Sequence, residues 1–186
     1  VTATRPGPDP VATPDEASVV RRAQAGDRNA QSTLVERYWD RVHRWLFHLC
    51  RDGHQADDLT QETFLRALAN LNRFEPGTCL PAWLFRIGHN VFASQLRKAH
   101  RADKPLPDDL LDRTDGPQAQ AEAGEMTRRL EQAIDKLPVE FRGALLLRVN
   151  EGMSFREIAD VLGLTEETAR WRVFKARQKL LEVVEG

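Results

Sequence analysis

The chain is short of several things, and each shortage removes a class of explanation. Cys50 and Cys79 are its only cysteines in 186 residues, too few for a disulfide framework and suited to a reducing compartment. No run approaches the roughly 18 apolar residues that a membrane-spanning helix needs. Residues 1–14 are rich in Pro, Thr and Ala and lack the apolar segment of a secretory signal, so a cytoplasmic protein without membrane insertion is expected. There is no G-x-S-x-G nucleophile elbow and no phosphate-cradling glycine loop. His48, Cys50 and His54 are the candidates for a metal or catalytic site, but Cys50 and His54 lie four residues apart across an expected helix break, with no second ligand pair at zinc spacing, so neither metal nor cofactor is expected. Asp57, Asp58 and Glu62 could serve acid–base chemistry only with a pocket and partners, of which the sequence gives no sign. The chain does not read as an enzyme.

An excess of one charge is also missing: 27 Lys and Arg stand against 28 Asp and Glu, a net charge of −1. The distribution says more than the sum. Arg170, Arg172, Lys175, Arg177 and Lys179 follow one another with no acidic residue between them, and Arg97, Lys98 and Arg101 form a second basic group. Between these groups, Asp103, Asp108, Asp109, Asp112, Asp115, Glu122 and Glu125 outweigh Lys104 and Arg113. Any one cluster taken alone reads first as a solvated face; the motifs they sit on weigh against that reading.

What the sequence does contain is helical pattern, almost without strand signals. Residues 1–14 carry Pro6, Pro8, Pro10 and Pro14, which block helix, and are expected to form a disordered tail. Gly26-Asp27 stops and restarts the chain, with Asp27 a plausible N-cap. Ala30, Leu34, Tyr38, Val42, Trp45 and Leu49 then recur every three or four residues along one face. A further helix is expected from about His54 to Leu71, and another from Ala82 to about His100 after the break at Glu75-Pro76-Gly77. Pro105, Pro107, Gly116 and Pro117 mark a boundary. Beyond it, helices are expected over Met126–Leu137 and Glu140–Glu151, followed by a helix capped by the Ser154/Glu157 box and a last one capped by Thr165. The fold class is therefore all-α: two helical domains, 15–102 and 125–186, joined by a flexible acidic linker over 103–124.

Residues 154–177 have the form of a helix-turn-helix. Ile158 and Leu162 would face the core, Gly163 permits the tight turn, and Ala169, Val173, Ala176 and Leu180 make one narrow stripe. Arg170, Trp171, Arg172, Lys175 and Arg177 lie off that stripe, where most would meet a DNA groove and its phosphates. Trp171 falls nearly opposite the stripe and is either a groove contact or a lid over the neighbouring helix or the linker.

Leu137-Pro138, Phe141-Arg142, Glu151–Ala159, Leu162-Gly163 and Thr168–Arg172 resemble the fourth conserved region of bacterial sigma factors, most closely the extracytoplasmic-function group. The resemblance implies that this domain binds the −35 promoter element, through Thr165, Glu167, Thr168, Arg170, Trp171, Arg172, Lys175 and Arg177, and also the flap of the polymerase β subunit. Trp171 departs from the family, which usually has a small polar residue there. In the first domain, the pattern Asp58-Leu59-Thr60-Gln61-Glu62-Thr63-Phe64 resembles the family's core-binding helix. Asp58, Gln61, Glu62 and Leu65 share one helical face, and the resemblance implies that they dock on the β′ coiled coil. Phe74–Thr78, Trp83–Asn90 and Leu96-Arg97 resemble the promoter-melting segment, in which a flipped −10 base is captured. Phe74, Gly77, Thr78, Arg86, Asn90, Arg97, Lys98 and Arg101 are the implied −10 contacts, while Trp83 is expected in the core. Gly88-His89 and Ser94 depart from the family's usual Ala-Arg and Asp. The implied partners are core RNA polymerase, promoter DNA and an anti-sigma factor. A one-component or response-regulator transcription factor also ends in a helix-turn-helix but would need a sensor domain, and a polymerase adaptor would not need the basic face.

Overall fold

A computed structural model describes residues 14–75, 78–101 and 125–185. The helices are α1 (Pro14–Gln24), α2 (Arg28–Cys50), α3 (Gly53–Ala69), α4 (Leu80–Arg101), α5 (Glu125–Asp135), α6 (Val139–Val149), α7 (Phe155–Leu162) and α8 (Glu166–Glu185), with a 3-10 turn over Leu71–Arg73. Pro14, assigned to the tail from sequence, opens α1, where its missing N–H costs nothing. Most of the expected tail and linker lies outside the described residues.

Local chemistry accounts for the helix ends. Asp27 caps α2 by accepting from the N–H groups of Asn29 and Ala30, and Asp52 does the same for α3 through Gln55. Ser154 and Glu157 close their box in both directions, at 2.8 and 3.2 Å. Gly163 ends α7 at φ 66°, a conformation glycine adopts without steric cost.

The expected stripe on α2 is buried along its length, from Ala30 to Leu49. It packs against Ala56, Leu59, Phe64 and Ala67 of α3 and Leu84, Phe85, Val91 and Phe92 of α4. Thr60 and Thr63 are buried too, their hydroxyls donating to the carbonyls four residues back at 2.7 and 2.6 Å, so neither is left unsatisfied. Val19, Val20 and Ala23 hold α1 on this core. Tyr38 donates its hydroxyl to Glu16 inside it, and burial together with that carboxylate pushes the phenol's pKa above its usual range.

In the second half, Ala169, Val173 and Ala176 of α8 close over Leu145, Leu146, Ile158 and Val161. The two halves are not independent bodies. One continuous apolar cluster runs from Val19 to Ala176, because α6 lies on α2 and α7 on α4.

Candidate nucleic-acid interface

The structure sets the candidate residues on three faces. On α3, Asp58 and Gln61 are exposed, Leu65 is 58% exposed, and Glu62 is half-buried. Glu62 accepts from Arg66 Nε at 2.6 Å, one turn along. Asp58, Glu62 and Arg66 border a shallow groove of about 490 Å³ between α3 and α4, lined across from them by Ser94, Gln95 and Lys98. Lys98, expected from sequence on the −10 surface, therefore lies beside the acidic residues of α3. Arg97, a residue earlier and some 100° round the helix, is exposed elsewhere.

The second face is α4 and the loop before it. Arg86 and Asn90 are exposed one turn apart, and Arg97 returns to the same side three turns after Arg86. Thr78 is exposed, its hydroxyl donating to the Glu75 carbonyl at 2.8 Å. Gly77 and the Arg101 side chain lie outside the described residues. Phe74 differs from expectation: it is 5% exposed, its ring 5.2 Å from that of Trp83. Gln24 ties the same loop to α1 by donating to the carbonyls of Leu71 and Phe74 at 2.9 and 2.7 Å. The Phe74 ring thus packs where a base-capturing side chain would be open. A methyl group at Gly88 would meet Thr63 at 3.5 Å and Leu46 at 3.7 Å, ordinary contacts, so the family's alanine would fit. His89 is half-buried, and burial, aided by the charges of Arg172 and Arg97, lowers its pKa.

The third face is α8. The Thr165 hydroxyl accepts from the N–H of Thr168 at 3.2 Å and pairs with its hydroxyl at 2.8 Å. Glu167 is exposed in the first turn, where the helix dipole favours an acid. Arg170 is exposed, held by Glu166 at 3.1 Å; its guanidinium carbon lies 5.0 Å from the centre of the Phe155 ring, which Arg148 also approaches at 4.9 Å. Arg177 is exposed and Lys175 half-buried, the latter donating to Gln178 at 3.0 Å. Trp171 is 50% exposed and meets Phe141 edge to face. Arg172, near the edge of the buried stripe, is half-buried against α4. Two residues on this face escaped sequence reasoning. Phe174 is 55% exposed three residues after Trp171, and its off-stripe position was a signal for it. Arg148 had none, since only the fold brings it to Phe155.

What this arrangement can do is bind, with cations on α4, cations and aromatics on α8 and an acidic-apolar face on α3. Among the described residues no group of His, Cys, Asp and Glu could hold a metal ion, and no helix is long and apolar enough to cross a membrane.

Comparison with known proteins places these faces within two family regions. Residues 34–102 match the family described as Sigma-70 region 2, and residues 127–180 match Sigma-70, region 4. The ECF RNA polymerase sigma factor EcfG of Rhodopseudomonas palustris is 40% identical over 75% of this chain and 76% of its own. The ECF RNA polymerase sigma factor SigE of Mycolicibacterium smegmatis is 37% identical over 83% of this chain, which spans 63% of that relative's length. Among solved structures, the sigma factor RpoE bound to the anti-sigma factor NepR from Bartonella quintana superposes with a TM-score of 0.72 at 27% identity, covering 83% of this chain and 96% of its own. CnrH in complex with the cytosolic domain of CnrY gives 0.65 at 26% identity, covering 91% and 96%.

Proposed function

The chain belongs to the extracytoplasmic-function group of sigma-70 factors, and on that premise we propose that its two helical modules divide promoter recognition between them. A member of this family directs RNA polymerase to specific promoters to begin transcription. In this reading Asp58, Gln61, Glu62 and Leu65 on α3 dock on the core enzyme. Arg86, Asn90 and Arg97 on α4 contact the −10 element, with Thr78 and Gly77 in the loop that receives a flipped base. Arg170, Trp171, Lys175 and Arg177 on α8 contact the −35 duplex. The observation that carries the reading is the pairing, on one chain, of an exposed carboxylate face on α3 with exposed cations and aromatics on α8. A transcription factor that binds DNA alone has no use for the first, and a polymerase adaptor has no use for the second.

The RpoE relative is bound to an anti-sigma factor, and by that likeness an anti-sigma partner is proposed here. Run-off transcription tests the function directly. Core polymerase with this chain should yield transcripts of defined start from fragments of its own genome, and core polymerase alone should not. Equal, unspecific transcription with and without the chain would overturn the reading.

A further inference from the structure

Gln24 is the last residue of α1, and its side-chain amide reaches the chain that leads into the −10 loop. Its Nε2 donates to the carbonyl of Leu71 at 2.9 Å and to that of Phe74 at 2.7 Å. Both amide donors are therefore engaged by one 3-10 turn and the residue after it. Leu71 and Phe74 are buried, and backbone carbonyls in such surroundings need a partner. The clip itself is firmly seated. Val20 and Ala23 bury the last turns of α1, and Gln31 of α2 donates to the Ala23 carbonyl at 3.1 Å. Phe74 is thereby held from two sides, its carbonyl by α1 and its ring by Trp83 of α4.

The next peptide links this clip to the DNA face. The Glu75 carbonyl accepts from the Thr78 hydroxyl at 2.8 Å and from the Thr78 N–H at 3.2 Å. Thr78 is exposed and belongs to the loop proposed to receive the flipped −10 base. Its anchor, the Glu75 carbonyl, follows directly on the carbonyl that Gln24 holds. A binding geometry is as exact as the groups behind it, and a shift of about 0.5 Å in its support is enough to spoil it. Gln24 itself is half-buried, and with both donors on the backbone it has none left for a phosphate. It also lies outside the stretch matched to Sigma-70 region 2, which begins at residue 34.

We propose that Gln24 is a positioning residue for −10 base capture. By clipping the carbonyls of Leu71 and Phe74 it fixes the stem from which Thr78 meets the flipped base, and so makes α1 part of promoter opening. This rests on the reading that the loop receives a flipped base. Gln24→Leu leaves both carbonyls without their partner, and the turn relaxes toward water. Gln24→Glu keeps the shape but sets a carboxylate against the carbonyls. Gln24→Lys supplies ammonium donors on a stem long enough to reach the same two oxygens.

The test uses the full chain in the holoenzyme and a forked DNA from a promoter that gives a run-off transcript. The fork is duplex through the −35 element and carries a single non-template strand through the −10 element. Each −10 base is replaced in turn by an abasic site. In the unaltered holoenzyme one position should account for most of the loss in affinity. Gln24→Leu and Gln24→Glu should each shrink that loss at least about threefold, because the base is already poorly held. Gln24→Lys should restore it. Co-purification with core polymerase and binding to a −35 duplex should stay unchanged in all three. A chain merely loosened in its core would bind every fork less well yet keep the ratio between intact and abasic DNA. That ratio unchanged in Gln24→Leu or Gln24→Glu overturns the proposal, and so does loss of helicity in both, which would make Gln24 a residue of the core. Failure of Gln24→Lys to restore the ratio contradicts donation to the carbonyls as the cause. If the unaltered holoenzyme loses nothing at any abasic position, the base-capture reading fails and the proposal falls with it.

Discussion

The rings of Trp171 and Phe141 meet edge to face, 5.5 Å apart and inclined at 72°, so the tryptophan ties α8 to α6 while half its surface stays open. It is a partial lid over Phe141 with its other half open to solvent. Trp171→Ala should cost at least about 1 kcal/mol, the aromatic pair plus the burial of its covered half, without loss of helicity, and should weaken binding to a −35 duplex. The emission difference between wild type and Trp171→Phe should resemble that of a solvent-exposed indole. A blue-shifted difference spectrum, or an unfolded alanine variant, would show that Trp171 is core.

Polymerase binding is predicted to be lost on charge reversal in α3. Asp58 is exposed, so Asp58→Lys should change stability by no more than about 0.5 kcal/mol while abolishing co-purification with core polymerase. Glu62→Lys should abolish assembly too and cost a further ~0.3–0.5 kcal/mol, because it breaks the 2.6 Å pair with Arg66. Native assembly by either variant, with native circular dichroism, contradicts the docking role of this face.

His89 should make stability depend on pH. Burial comes first among the causes that lower its pKa, followed by the charges of Arg172 and Arg97, and Glu140 shares its cavity. The unfolded chain then takes up this proton at higher pH than the folded chain does. Stability is accordingly full above the unfolded value near 6.5 and declines as pH falls from there through the lowered folded value. The melting temperature should fall over that window, and His89→Gln should flatten this part of the slope. An identical slope in the variant would show that His89 does not carry it.

Much of the architecture was legible because it is periodic or capped. The stripe from Ala30 to Leu49 is buried as its spacing demands, and Ser154, Glu157 and Gly163 punctuate α7 as local chemistry requires. The contact between the two halves was not legible. Arg41 and Glu151, which pair across it, are 110 residues apart and read as ordinary surface charges, and Gly143, close against Leu49, looks like a mere weakness inside a helix. Helical periodicity says which face of α6 or α4 is covered, not by what. The same limit explains Phe74, expected beside an extruded base but packed on Trp83, and Lys98, which lines the same groove as Asp58 and Glu62. Arg172 lies off its own helix's stripe and is half-buried only because α4 stands beside it.

The division of labour is tested most directly by two substitutions measured on one promoter. Arg170 and Arg97 are both exposed, so replacing either should leave the fold intact. With the full chain, Arg170→Ala should weaken binding to a −35 duplex and lower the salt slope by about one unit, the release expected from one phosphate contact. Arg97→Ala should leave that duplex bound as before and impair opening, read in the holoenzyme as reduced permanganate reactivity of the −10 thymines. If both substitutions impair the same step to the same degree, the two modules do not divide promoter recognition as described.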